Sequence, residues 1–328
     1  MSQKLKQAFK ILIPLILGII ILYFLYRGTD FAQLWADTKN ANWAILTFSL
    51  VFGLSANVVR ALRWELLINP LGYHLKRSNL IFAVLGNYAV NFAIPRAGEI
   101  WRCAAIQQKE KIPFAKLFET LVVDRIMDFL PVGLFAVAAI LLNLPVFSQN
   151  IDSFQLPAWL FSSYLYIGIF VFALIIICIL IIWKENKIVQ AIRKFLQSLK
   201  NDILLIGKMQ RKIRFFVYTF GIWICYFLCF YIAFFAFDFT ENLGVAAGLF
   251  IFVLGSISMV IPSNGGLGPW QAAVVFGLCT FLVEREQAIV FATAVFAFQS
   301  LWQVLCGLFG IFALSIRKQH IEQSSLKK

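Results

Sequence analysis

One interruption in the sequence sets the architecture of the chain: Asn91-Phe92-Ala93-Ile94-Pro95-Arg96-Ala97-Gly98-Glu99-Ile100-Trp101-Arg102. It ends the mostly apolar run of residues 79–94, and only a short apolar piece, residues 101–106, follows it. Proline and glycine break helices, and a broken backbone at membrane depth survives only where protein or a polar cavity satisfies it. The pattern predicts a re-entrant helical hairpin over residues 79–107 with its elbow at Pro95.

A second interruption has the same form. Ile261-Pro262-Ser263-Asn264-Gly265-Gly266-Leu267-Gly268-Pro269 ends the apolar run of residues 243–261, and a shorter apolar piece follows. Both interruptions contain Ile-Pro-x-x-Gly, followed by a tryptophan and an Ala-Ala pair. We therefore predict a second re-entrant hairpin over residues 243–283.

The composition of the whole chain gives its class. Of the 328 residues, 61% are apolar and 14% charged, whereas soluble domains are about half apolar and about a quarter charged. The apolar runs are continuous and about 20 residues long, unlike the alternating strands of a membrane β-barrel. The 35 Phe residues exclude a disordered chain. These features predict an all-α polytopic membrane protein and exclude a water-soluble enzyme.

Six further apolar runs are long enough to be full spans. They are residues 8–26, 43–59, 114–144, 159–183, 215–237 and 287–316. The second run stops at Arg60 and Arg63, which we expect at the cytoplasmic surface. With six spans and two hairpins, both termini and the nine basic residues of segment 184–214 are cytoplasmic, as the positive-inside rule requires. We expect the chain in the plasma membrane.

The order of these elements predicts an inverted-topology repeat. Residues 1–145 form the first repeat, whose hairpin enters from the cytoplasm. Residues 146–316 form the second repeat, whose hairpin enters from outside, and residues 317–328 form a cytoplasmic tail. Inverted repeats with discontinuous helices that meet near the midplane are typical of transporters.

The predicted topology accounts for the formal charge of +13, because cytoplasmic loops of membrane proteins are rich in lysine and arginine. We therefore predict no nucleic-acid partner. Segment 184–214 has apolar residues at helical spacing with lysines and arginines off that stripe. Such a pattern predicts an amphipathic helix on an anionic lipid surface. The sequence gives no oligomeric state.

Three charged residues, Asp124, Arg125 and Asp128, lie deep inside the span 114–144, whose cytoplasmic edge is marked by Lys116. Arg125 is nine residues beyond Lys116, hence roughly 13–14 Å deeper in the membrane. Each unpaired ion there costs at least about 2.5–3.5 kcal/mol. Arg125 and Asp128 have the spacing of a local pair, and Arg96 and Glu99 are the expected additional partners. The group is either a structural ion cluster, a polar site for a charged headgroup, or both.

The second elbow is neutral and rich in glycine. Its backbone N–H groups and the helix that starts near Pro269 could hold an anion such as phosphate. Alternatively, the glycines only allow tight turning and close packing. The six cysteines lack neighbouring histidines, and no phosphate-binding Gly-x-x-x-x-Gly-Lys motif occurs, so we predict no metal, no cofactor and no catalytic residue.

Three elements together resemble the transmembrane region of lysylphosphatidylglycerol synthases, the flippase-like domain family. They are residues 91–102, Val122-Val123-Asp124-Arg125-Ile126-Met127-Asp128, and residues 261–268. The resemblance covers essentially the whole chain. It implies a membrane domain that moves lipids between leaflets, in some members an aminoacylated phosphatidylglycerol.

The resemblance also implies site positions at Arg96, Gly98, Glu99, Arg125 and Asp128. Two positions depart from the family: Asp124 stands where many relatives have glutamate, and Gln271 stands where glutamate is frequent. The chain ends at Lys328, soon after its last span, without the cytosolic aminoacyl-transferring domain of bifunctional relatives, so we expect no transferase activity. The full predicted substrate-binding set is Arg96, Gly98, Glu99, Arg102, Asp124, Arg125, Asp128, Ser263, Asn264, Gly265, Gly266, Gly268 and Gln271.

The favoured hypothesis is a lipid translocator with a polar midplane site for a phospholipid with an anionic or zwitterionic headgroup, or for a lipid-linked headgroup. Arg96 and Arg125 would hold the phosphate, while Glu99 and Asp128 would hold a cationic part or a coupling proton. One alternative is an ion-coupled secondary transporter of a small anionic solute. Another is an accessory subunit in lipid or lipid-glycan modification. The sequence favours a transporter over an enzyme.

Overall fold

The computed structural model describes residues 16, 18–29, 31–73, 75–144, 197 and 211–326. The described residues form helices joined by short turns, and they include no strand. Residues 18–26 are helical. The helices after them are α1 (Phe31–Lys39), α2 (Trp43–Ile68), α3 (Arg77–Ala93), α4 (Ala97–Glu110), α5 (Phe114–Leu142), α6 (Lys212–Ile232), α7 (Val245–Ser258), α8 (Pro269–Thr280) and α9 (Arg285–Leu326).

Four of these helical stretches are long and apolar enough to cross a membrane. They are Trp43–Leu71, Phe114–Leu142, Lys212–Ala236 and Arg285–Ile316, which correspond to four of the six predicted spans. Of the other two, residues 159–183 and about half of residues 8–26 lie outside the described residues. So does nearly all of the predicted amphipathic segment 184–214. Helix α9 continues to Leu326, into the segment predicted as a tail.

The predicted end of the second span is wrong. Helix α2 begins at Asn42, whose side-chain oxygen accepts hydrogen bonds from the Ala44 and Ile45 N–H groups, and continues to Ile68. Arg60 and Arg63, expected at the cytoplasmic surface, are 2% and 0% exposed. The physical reason is that both arginines find carboxylate partners inside the protein, so the helix continues past them without a buried unpaired charge.

Each predicted hairpin corresponds to a pair of helices that pack against each other. Helices α3 and α4 flank a short elbow that includes Arg96, whose φ of 60° is left-handed. Helices α7 and α8 flank the second elbow, in which Gly265, Gly266 and Gly268 all have positive φ. Because a left-handed backbone favours glycine, these three residues let the chain reverse in a short length. The membrane side from which each hairpin enters, and the inverted repeat, stay predictions.

The last helix packs along the first hairpin. A β-carbon at Gly307 would lie 2.6 Å from the Ala89 β-carbon, and one at Gly310 would lie 2.6 Å from the Phe82 carbonyl oxygen. These glycines therefore allow α9 to approach α3 at backbone distance. The described residues form two large apolar cores and a smaller one. The first packs around Trp64 and contains mainly residues of α2 to α5, and the second packs around Phe291 and contains mainly residues of α6 to α9. The third contains Ala139, Leu249 and Val253.

Candidate substrate-binding site

Helices α2 and α5 share a network of buried ion pairs. Arg63 Nη2 lies 2.7 Å from Asp124 Oδ1 and 2.7 Å from Asp128 Oδ1. Arg60 Nη1 lies 2.7 Å from Asp128 Oδ2 and 3.8 Å from Asp124 Oδ2. Asp124 is fully buried and Asp128 is 8% exposed. Two arginines of α2 thus compensate the charges of two carboxylates of α5. Because Asp124 and Asp128 are four residues apart, their carboxylates lie on the same face of α5.

The network extends to helix α4 of the first hairpin. Arg125 Nε lies 2.6 Å from Glu99 Oε1, and Arg125 Nη1 lies 3.4 Å from Asp128 Oδ2. Arg102 Nη2 lies 3.5 Å from Asp124 Oδ2. The Arg102 guanidinium also stacks 4.2 Å from the centre of the Trp64 ring, a favourable cation–π contact. The predicted pairing of Arg125 with both Asp128 and Glu99 is confirmed.

Arg96 does not join this network, so its predicted pairing with the intramembrane carboxylates is wrong. Its side chain is exposed, and its Nη2 donates to the Val260 carbonyl oxygen at 2.6 Å. The reason is the position of Arg96 in the chain. Arg96 lies at the elbow, before helix α4 begins, whereas Glu99 and Arg102 lie on α4 itself and reach the carboxylates and Arg125 of α5. Arg60 and Arg63 take the place that the sequence assigned to Arg96. The apolar residues Trp64, Leu66, Leu67 and Ile68 that follow them were the signal that the span continues.

The two elbows contact each other. Asn264 Nδ2 donates to the Phe92 carbonyl oxygen at 3.2 Å, and a β-carbon at Gly265 would lie 2.5 Å from the Phe92 ring. Together with the contact between Arg96 and Val260, these interactions join the first hairpin to the second. The discontinuities predicted from sequence therefore lie side by side in the fold.

Part of the second elbow is already hydrogen-bonded internally. The Gly268 N–H donates to Gln271 Oε1 at 2.6 Å, and the Trp270 N–H donates to the Gly266 carbonyl at 3.1 Å. Ser263 Oγ donates to the Ile261 carbonyl at 3.4 Å. Gln271 is thus a buried helix cap for α8, so the Gly268 and Trp270 N–H groups are engaged and do not contribute to the anion site predicted there.

Gly98 has a packing role in the first hairpin. Its N–H donates to Asn91 Oδ1 at 2.8 Å, and a β-carbon at this position would lie 2.0 Å from the Asn87 carbonyl oxygen. Only glycine lets α4 approach α3 this closely. The close approach in turn positions Glu99 beside Arg125.

A cavity of about 340 Å³ lies against the ion network. Arg60, Arg125 and Asp128 line its charged end, and Gly265 of the second elbow lines it too. The other walls are mainly aromatic and apolar, with Leu50, Phe92, Trp223, Phe230, Phe252 and Trp270 among them. Three of the predicted site residues therefore face the cavity, whereas Asp124 and Arg102 are fully buried and do not line it.

Polar groups that the sequence did not single out also line this cavity. Tyr226 donates its hydroxyl proton to Asn57 Oδ1 at 2.8 Å, and the Tyr88 hydroxyl lies 2.7 Å from the Tyr226 hydroxyl. Trp223 Nε1 donates to Asp128 Oδ1 at 3.3 Å. Within the described ranges, no group of three or more His, Cys, Asp or Glu side chains could hold a metal ion. The cavity is thus an amphipathic pocket with a charged end.

The helices that could cross a membrane, the broken helix pairs and the buried ions define the class of a polytopic α-helical membrane protein. Residues 11–307 match the family described as the lysylphosphatidylglycerol synthase TM region, so the chain belongs to that family.

A UPF0104 membrane protein of Methanocaldococcus jannaschii is 27% identical over 179 residues, which are 53% of this chain and 49% of that protein. The chain thus spans about half the length of this curated relative. No solved structure matches the chain.

Proposed function

We propose that the protein is a lipid translocator, which moves a phospholipid or lipid-linked headgroup between the leaflets of a membrane. The observation that carries this proposal is the cavity between the two hairpins, with Arg60, Arg125 and Asp128 at one end and aromatic walls elsewhere. A charged headgroup is costly in hydrocarbon. A cavity that offers paired charges to the headgroup and apolar walls to the start of the acyl chains lowers that cost. Membership of a lipid-related membrane family supports the same proposal.

Transport also needs two arrangements of the site, one open to each leaflet. The contacts between the elbows are few: the Arg96 hydrogen bond to Val260, the Asn264 hydrogen bond to Phe92, and the packing of Gly265 on Phe92. We propose that these contacts break and re-form while the buried network holds α2, α4 and α5 together. The first hairpin and α5 would then move as one body relative to the second hairpin.

The test is a leaflet-exchange assay in proteoliposomes made from native membrane lipids. The wild type should accelerate exchange, and Arg125→Ala should lose most of that acceleration while remaining folded. Lys116→Ala is the matched control, because Lys116 lies on the same helix and pairs with Glu119 at the surface. Acceleration that is equal in all three proteins contradicts the assigned site.

The same vesicles distinguish the alternative functions. If no headgroup class is exchanged but a small soluble anion crosses the membrane, the protein is a secondary transporter of a small solute. If neither moves, an accessory role in lipid or lipid-glycan modification takes the place of translocation.

A further inference from the structure

We propose that the cavity binds a phosphodiester group with a single negative charge, held by Arg60 and Arg125. The inference deepens the proposed function and rests on it for the lipid origin of the phosphodiester. It follows from the net charge of the ion network and from which of its arginines line the cavity.

The network contains one more cation than it has anions among the described residues. Its cations are Arg60, Arg63, Arg102 and Arg125, and its anions are Glu99, Asp124 and Asp128. Other ion pairs on the same helices are neutral in themselves: Glu65 with Arg77, and Lys116 with Glu119. The described network therefore has a net charge of +1.

Two of the four arginines of the network, Arg60 and Arg125, line the cavity. Arg63 is fully buried and well partnered: its Nε and Nη2 donate to Asp124, and its Nη1 to Thr219. By contrast, Arg60 Nε is buried and has no hydrogen-bond partner in the described part of the chain. Arg125 has a 31% exposed side chain, and both Arg60 and Arg125 line the cavity. A ligand in the cavity thus meets the partly exposed Arg125 directly and lies next to Arg60, whose buried Nε has no partner.

A further unsatisfied donor belongs to a residue of the cavity wall. The buried Trp302 Nε1 has no hydrogen-bond partner among the described residues, and Trp302 lines the cavity. A buried donor without a partner costs free energy, so each of these groups favours a ligand with several acceptor oxygens. Arginine binds phosphate oxygens through two parallel N–H groups. The unsatisfied donors therefore fit a phosphate better than an amine.

The net charge of the network distinguishes between the kinds of phosphate group that could bind. A phosphodiester brings one negative charge and neutralises the network, whereas a dianionic phosphomonoester would leave one negative charge uncompensated in a low-dielectric site. A zwitterionic headgroup would add an ammonium, but Asp128 and Glu99 already have arginine partners. A phosphodiester without a cationic group is therefore the preferred ligand.

The experiment compares leaflet exchange of labelled phosphatidylglycerol, phosphatidylcholine and phosphatidic acid at about pH 8, where a phosphomonoester is mostly dianionic. We expect phosphatidylglycerol to be exchanged on the order of tenfold faster than either of the others, the effect of one charge-assisted hydrogen bond. Exchange of all three lipids at one rate overturns the inference but leaves translocation intact.

A binding measurement keeps the two proposals separate. Binding of soluble glycerophosphoglycerol and of glycerophosphocholine to the detergent-solubilised protein does not require transport. Tighter binding of the first compound, without exchange of any lipid, supports the phosphodiester site and contradicts translocation; it also indicates a soluble ligand. Equal or undetectable binding of both compounds, together with unselective exchange, overturns the site.

A charge-changing variant provides the sharpest test. Glu99→Gln leaves four arginines against two carboxylates, and because Glu99 is 35% exposed, this variant is tolerated more easily than one at a fully buried ion. We expect it to shift the preference toward phosphatidic acid by on the order of tenfold. The matched control is Glu65→Gln, whose partner Arg77 lies outside the network. An unchanged preference in Glu99→Gln overturns the inference.

Discussion

Arg63 of helix α2 and Asp124 of helix α5 form an ion pair of 2.7 Å in which both side chains are fully shielded from solvent. The same guanidinium donates from Nε to Asp124 Oδ1 at 2.8 Å and from Nη2 to the Asp124 backbone carbonyl at 2.9 Å. Two charged side chains from distant parts of the sequence thus form one buried unit in which each neutralises the charge of the other. This unit fixes the orientation of α5, and hence the positions of Arg125 and Asp128 at the cavity.

The first prediction concerns the stability of this unit. Asp124→Asn leaves Arg63 and Arg102 buried without a full counter-charge, so we expect it to lower the free energy of unfolding by about 3–5 kcal/mol. The control Glu65→Gln removes a pair in which Arg77 is largely exposed, and its effect should be about 0–1 kcal/mol. Unfolding of both variants in detergent checks this. Similar losses in the two variants would show that the buried pair is not a structural unit.

The second prediction concerns the close approach of α4 to α3. Gly98→Ala puts a β-carbon 2.0 Å from the Asn87 carbonyl oxygen, which is rigid backbone. We expect a loss of at least about 1–3 kcal/mol, measured by thermal unfolding. Gly133→Ala is the control, because a β-carbon there meets nothing within 4 Å. Alanine is the better helix former, so the control should be unchanged or more stable. Equal stability of the two variants would contradict the packing of the hairpin.

The third prediction concerns the contact between the elbows. Arg96→Ala removes the hydrogen bond to the Val260 carbonyl and leaves the buried network untouched. The cavity-lining Cys229 should then react faster with a small thiol reagent, by up to about tenfold, because loss of one charge-assisted hydrogen bond favours opening of the site. Peptide mass spectrometry measures the rate. Arg77→Ala, which removes another exposed arginine on the same hairpin, should leave it unchanged. A rate that Arg96→Ala does not alter would show that the elbow contact does not close the cavity.

The fourth prediction tests the topology. With six spans and two hairpins, Lys111 after the first hairpin is cytoplasmic and Arg285 before the last span is external. Arg285 Nη2 donates to the Leu25 carbonyl at 2.9 Å, so the end of the first helix lies on the same side as Arg285. A membrane-impermeant thiol reagent added to intact cells should label Arg285→Cys and spare Lys111→Cys. Labelling of both residues from outside would contradict the predicted hairpin topology.

Composition and local pattern determined the class of the protein and the positions of its helix breaks. Continuous apolar runs require helices in a membrane, because every backbone polar group must be satisfied internally. Pro95 and the glycines of residues 265–268 indicated the two interruptions. The charges at Asp124, Arg125 and Asp128 had to be paired, because the membrane core does not solvate ions. Each of these conclusions depends only on neighbours along the chain.

The tertiary structure alone decided which charges pair. Arg60 and Arg63 looked like the end of a span, and only the approach of α2 to α5 places their guanidinium groups against the carboxylates. The same approach replaced Arg96 by Arg60 as the arginine at the cavity. Partner choice depends on distances between segments far apart in sequence, and electrostatic energy changes steeply with those distances. The sequence alone indicated that ions lie within the membrane, and the fold determined which arginines line the cavity.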